Sequence, residues 1–185
     1  MDIWNEEVDA GFLKLIPSVV TCEYEENVFT PIHASIGNPE QDFDDFHIYP
    51  RCSINSVGEE FSYNRNDNRN PVVTGIRGNI ATVKDPSQPY YLIYNIVFHA
   101  KFKSDIDRIT KLWRKHCGRA FSLPVTLADG STYGCRTDFL GQSQSDMLDR
   151  EVLRYTRSYL YRVWVDLEGE THESRVATQL DLVKK

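Results

Sequence analysis

The chain has no apolar run approaching the ~20 residues that a membrane-spanning helix needs, so no span of that kind is expected. Its first residues include Asp2, Glu6 and Glu7 in place of the basic region that opens a secretory signal. Synthesis in the cytosol is therefore expected. Cysteine is sparse: Cys22, Cys52, Cys117 and Cys135 are scattered, with no CxxC pair. Reduced, buried thiols are the favoured reading over disulfides or zinc. HExxH, Walker A, GxGxxG and GxSxG are all missing, which removes the common sequence signals for zinc hydrolysis, nucleotide binding and serine nucleophiles. Repeats and low-complexity stretches are missing too. Positive charge is the scarcer sign: 21 Lys and Arg stand against 27 Asp and Glu, a net −6. That balance argues against a protein whose main work is gripping phosphates. It is compatible with one that DNA slides past.

The best-specified stretch runs from Pro89 to Gly118. Tyr90, Leu92, Tyr94, Ile96, Phe98, Ala100 and Phe102 alternate with Asn95, His99 and Lys101, a strand with one apolar and one wetter face. Ser104 then reads as an N-cap, with Asp107 three residues on as in a capping box. Ile106, Ile109, Leu112 and Trp113 form the apolar stripe of a helix. Arg114, Lys115 and His116 suit its negative end, and Gly118 its stop.

Residues 1–30 read as an N-terminal arm, a short amphipathic piece separated by Pro17 from an extended stretch, with a short helix and then a strand expected. Residues 31–170 read as a single α+β domain, and 171–185 as a tail without a core of its own. Strands are expected over Phe46–Ser56, Val72–Val83, Phe121–Leu127, Thr132–Leu140 and Leu153–Leu167. Asp85 to Pro89 is expected to close a hairpin, and Asp129-Gly130 to make another. The polar stretches Ser62–Pro71 and Gly141–Asp149 read as loops. One main helix packed on a mainly antiparallel sheet, with extended arms at both ends, is the expected architecture.

Asp42, Asp44, Asp45 and His47 form the one dense cluster of candidate metal ligands. Their spacing matches no EF-hand loop and Phe43 and Phe46 interrupt it, so a solvated acidic loop is the favoured reading and no metal or cofactor is assigned. A metal-assisted hydrolase using Asp42, Asp44 and His47 is the alternative. The histidines are spread along the chain. The tyrosines near 90 and 155–161, with Arg150, Arg154, Arg157 and Arg162, suit cross-strand pairing first. They also suit subunit contact, since interfaces favour Tyr and Arg, or a stacking platform for single-stranded nucleic acid.

The order of these features resembles the tail-terminator and tail-completion proteins of tailed bacteriophages. Phe46-His47-Ile48-Tyr49-Pro50 with Cys52-Ser53-Ile54 is similar to their early strand, and Arg65 through Pro71 to their polar loop. Tyr90–Phe102 with Ser104–Cys117 is similar to their central strand and helix, and Tyr155–Leu167 to their closing strand. The resemblance covers residues 46–167. It implies a non-catalytic subunit of the virion that forms a ring, usually a hexamer, at the end of the tail tube. Such a ring stops polymerisation and docks to neck, sheath or connector proteins, with DNA passing through unbound. A ring needs two complementary surfaces. Arg65, Arg69, Arg154, Arg157 and Tyr159 are the expected subunit contacts, and Asp42, Asp44 and Asp45 the expected acidic loop or lumen. An acidic lumen repels the DNA backbone and keeps it moving. The long segments before residue 30 and after 170 depart from the family pattern and suit arms reaching neighbours, or a different neck or baseplate component.

Overall fold

A computed structural model describes residues 3–25, 28–37, 49–65, 70–149 and 152–175. The chain is an α+β protein, mostly sheet, with two helices. It divides into two compact units. The larger comprises residues 3–60 and 91–165; the smaller comprises Met1–Asp2, Phe61–Tyr90 and Asp166–Lys185.

In the larger unit, α1 (Asn5–Val19) leads into a hairpin of β1 (Thr21–Glu25) and β2 (Val28–Pro31). Residues expected to form an arm are core instead: Val8, Phe12 and Ile16 are fully buried. These fall at helical spacing on one stripe, so burying them drives the segment onto the sheet. Glu7 accepts a hydrogen bond from the Trp4 N–H at 3.0 Å, securing the helix start. Pro17 lies inside the last turn rather than ending the helix. It removes one N–H, which the buried stripe offsets.

The main sheet has six strands in the order β3 (His33–Ile36), β4 (Arg51–Phe61), β7 (Gln88–Ala100), β10 (Val152–Leu167), β9 (Thr132–Asp149), β8 (Ala120–Thr126). β8, β9 and β10 pair antiparallel, but β3 runs parallel to β4. The sheet is therefore mixed and curled, not mainly antiparallel as expected. Parallel neighbours need a long connection, and residues 37–50 supply one. α1 packs against both edge strands, β3 and β8, so the sheet wraps it. A Cβ at Gly11 would lie 2.9 Å from the Pro124 carbonyl oxygen, and only glycine fits that approach of helix to strand.

α2 (Lys103–His116) buries Ile106, Ile109 and Trp113. Trp113 meets Phe98, Phe121 and Tyr161 edge-on, at 5.4–6.2 Å between centroids. The Trp113 Nε1–H donates to the Tyr161 hydroxyl at 2.8 Å, and that hydroxyl donates to the Cys117 carbonyl at 2.9 Å. The N-cap is Phe102, in extended conformation, rather than Ser104. β7 carries the alternation only through Asn95; beyond it Val97 and His99 are buried along with Ile96, Phe98 and Ala100. The face expected to be wetter is covered there.

β9 and β10 run further than expected. Residues 141–149 are strand rather than loop, paired with β10 to Val152↔Asp149. A bulge at Leu140 lets the long hairpin change twist. Gly130, at φ 83°, makes the expected β8–β9 turn.

The smaller unit holds a three-stranded sheet, order β11 (Thr171–Arg175), β6 (Ile80–Lys84), β5 (Val72–Arg77), antiparallel throughout. The single strand expected over 72–83 is folded at Gly78-Asn79, where Gly78 has φ 58°. Its partner is β11, so the segment expected to be a coreless tail contributes a strand over 171–175. β6 pairs with β5 and β11, not with β7, so residues 85–87 do not close a hairpin. Gly169 passes against the Asp85 and Pro86 carbonyls, leaving no room for a Cβ. The Asp85 N–H donates to the Glu170 carbonyl at 2.9 Å.

Candidate functional site

Of the residues singled out in the sequence, Arg65 belongs to the smaller unit and Arg154, Arg157 and Tyr159 to the larger. In the smaller unit, Arg65 makes an ion pair with Asp166 at 2.6 Å and donates to the Tyr90 carbonyl at 3.3 Å. With Asn70, Val72, Ser87 and Asp166 it lines a shallow cavity of about 380 Å³. In the larger unit, Arg157 pairs with Asp146 at 2.6 Å across the β9–β10 hairpin and is largely buried. Tyr159 is 2% exposed and packs on Phe98 at 5.9 Å, so its ring serves the core rather than a subunit contact. Arg69, Asp42, Asp44, Asp45 and His47 lie outside the described residues.

Arg154 belongs to a cluster that periodicity did not show. Its guanidinium, that of Arg51 and the Lys101 ammonium all lie 5.1–5.8 Å from the centre of the Tyr49 ring. The strands β4 and β10, with the end of β7, bring these cations together. His99, within hydrogen-bond reach of the Thr156 hydroxyl at 3.3 Å, sits beside them. Burial first, then the Arg51 and Arg154 charges, pushes the His99 imidazole down to about 4 from the ordinary 6.5. His99 is therefore neutral at physiological pH and not a poised acid–base group. A cation set gathered on one tyrosine ring is a local positive patch in an acidic chain. The signal in the sequence was faint: Arg154 was visible, but Tyr49 with Arg51, Lys101 and Arg154 lie on three separate segments.

A second cleft, about 500 Å³, is lined by Asp9, Ile36, Ile54, Ser56 and Asn95. Burial raises the Asp9 carboxyl, with Glu6 adding to the effect. Beside it the Tyr94 hydroxyl donates to the Asn5 side-chain oxygen at 3.0 Å. The thiols are free and buried, and burial pushes Cys22 and Cys117 up to about 12. Among the described residues no three His, Cys, Asp or Glu side chains gather as a metal would require.

The most unusual surface is apolar. On the three-stranded sheet Val72, Val73 and Ile76 of β5 are 62%, 53% and 65% exposed, and Ile80 of β6 is 44% exposed. β5 is an outer strand with β6 as its neighbour on one side only. Among the described residues nothing pairs with the outer edge of this six-residue strand, and an apolar sheet edge of that kind is a template for another chain. Neither a protein-family model nor a curated protein matches this chain.

Proposed function

We propose that the chain is a structural subunit of a phage virion. It forms a ring, a hexamer by the resemblance, at the end of the tail tube, where it stops tube growth and joins tail to neck. The observation that carries this reading is the exposed apolar edge at β5, a surface suited to docking. The long β9–β10 hairpin supports it, because residues 142–146 of β9 are exposed. The resemblance of the sequence to the tail terminators, in its order of strand, helix and closing strand, is the ground for the ring and its place. Work of this kind needs shape and charge and no bond-making, with DNA moving through the ring without specific binding. The test is tube assembly. Added to polymerising tail-tube protein at one ring per tube, the chain is expected to cap growth and fix tube length. Unchanged elongation, with no protein bound at tube ends, would overturn the assignment.

A further inference from the structure

The end of α2 departs from the acidic balance of the chain. Between residues 108 and 128 stand Arg108, Lys111, Arg114, Lys115 and Arg119 with no Asp or Glu, against a net −6 for the whole. Lys111, Arg114 and Lys115 are exposed along the helix, and Arg119 is exposed just past its end. The helix dipole offers them roughly half a negative charge, too little to balance the set. Arg114 and Arg119 flank a cavity of about 200 Å³ floored by Phe139, Tyr159 and Tyr161. The Phe139 and Tyr161 ring centres are 5.8 Å apart. The Gln142 side-chain oxygen accepts from the Arg114 guanidinium and holds it at the rim. Arg119 enters no ion pair among the described residues. The result is an apolar socket with positive charge fixed beside it. Tyr159 and Tyr161 pack on Phe98 and Phe121 and are 2% and 1% exposed, so the floor has little ring face on which a nucleobase could stack. A short apolar side chain with a carboxylate next to it suits the socket.

β4 presents that combination. Residues 56–60, Ser-Val-Gly-Glu-Glu, are all exposed, Val57 by 55%. Glu59 lies two residues on from Val57, so both side chains leave the strand on one face, roughly 7 Å apart. A Cβ on Gly58 between them would meet no atom within 4 Å, so the backbone there is open too. Glu60 is paired with Arg162 at 3.5 Å, whereas Glu59 enters no ion pair among the described residues. In the main sheet β7 and β10 separate β4 from β9, three strand spacings or about 14 Å. A chain therefore cannot seat Val57 in its own socket.

We propose that Val57 and Glu59 of one copy dock into the socket of a neighbouring copy, Val57 on Phe139 and Glu59 against Arg114 and Arg119. The inference rests on the assembly reading above and supplies a joint for it. Strand and socket are different surfaces, so the contact is head-to-tail, the kind that closes rings. Apolar insertion holds the joint, and charge pairing sets its register and its partner.

Complementation tests it. One variant carries Arg114→Glu and Arg119→Glu and keeps the strand. The other carries Val57→Asn and Glu59→Gln and keeps the socket. All four positions are exposed, and circular dichroism checks the fold of each variant. The full chain is expected to be a multimer by light scattering and each variant alone a monomer. An equimolar mixture is expected to give a one-to-one dimer through the single intact joint. The full chain gives a second readout that needs no variant: its association is expected to weaken about tenfold between ~0.05 and ~1 M salt, as the screening length shrinks to about 3 Å. An unchanged midpoint would overturn the charge pairing. A multimer that survives both sets of substitutions would overturn this joint while leaving the assembly reading in place. Loss of oligonucleotide binding in the Arg114→Glu, Arg119→Glu variant would then give the basic face to nucleic acid instead. Monomeric variants that form no dimer on mixing would also overturn the joint, because strand and socket would not be partners. A full chain that is itself a monomer would remove the assembly reading together with its joint.

Discussion

Tyr161→Phe removes one oxygen from the centre of the larger unit and tests the packing that positions everything else. The Tyr161 hydroxyl accepts from the Trp113 indole at 2.8 Å and donates to the Cys117 carbonyl at 2.9 Å. Trp113 is fully buried and Tyr161 is 1% exposed. Phenylalanine keeps the ring and its contacts with Phe121 and Phe139, so almost no cavity opens. The loss is therefore polar: a buried N–H and a buried carbonyl each give up a partner. An orphaned buried group costs about 1–3 kcal/mol, and the carbonyl stands at the lower end. A loss of about 3 kcal/mol is expected. For a chain of this length that lowers the melting temperature by about 6–12 °C. Urea unfolding followed by tryptophan fluorescence reads it as a lower midpoint at unchanged slope. Tyr133→Phe, on the exposed face of β9, is the control and is expected to change little. A Tyr161→Phe loss below about 1 kcal/mol would show that the hydroxyl does not tie α2 to β10 and would refute the reasoning.

Gly11→Ala should destabilise, even though alanine is the better helix former by about 1 kcal/mol. Its Cβ meets the Pro124 carbonyl, and a net loss of roughly 1–3 kcal/mol in thermal melts is expected, a gain being the contrary result. His99 is held neutral in the fold, with its value lowered to about 4 against 6.5. The unfolded chain therefore takes up that proton first as pH falls. The contribution is fully present above about pH 6.5 and lost towards pH 4, amounting to about 3 kcal/mol at most. Urea midpoints should fall over that window, and His99→Gln should flatten that part of the profile. The buried thiols, with Cys22 and Cys117 raised to about 12, should react slowly with a disulfide reagent at pH 8 and fully once unfolded. Rapid labelling of the native chain would contradict their burial.

Much of the larger unit was legible in the sequence because its signals are local. The β7–α2 unit follows from alternation passing into a helical stripe, and the β8–β9 turn from Asp129-Gly130. Four features were not. α1 itself is legible as the amphipathic piece around Pro17, but its place in the core is not, because the stripe Val8, Phe12 and Ile16 is buried through contacts far along the chain. The parallel β3–β4 pair depends on register between segments and leaves no periodic mark. The Gly78-Asn79 pair is a local hairpin signal that the single strand over 72–83 passes over, and with it the separate small sheet. The cation cluster on Tyr49 joins three segments, so only tertiary placement reveals it. Among the expected contact residues, Arg65 and Arg157 are held in ion pairs of their own unit, and Tyr159 is spent on the core. Side-chain type alone does not distinguish an interface tyrosine from a buried one.

The most direct test of the central claim, that this chain works by fitting against copies of itself, is native mass spectrometry of the full chain. A closed ring is expected at an integer multiple of 21.4 kDa, six copies by the resemblance, with little material of intermediate size. A mass of one copy at every concentration up to the solubility limit would contradict it.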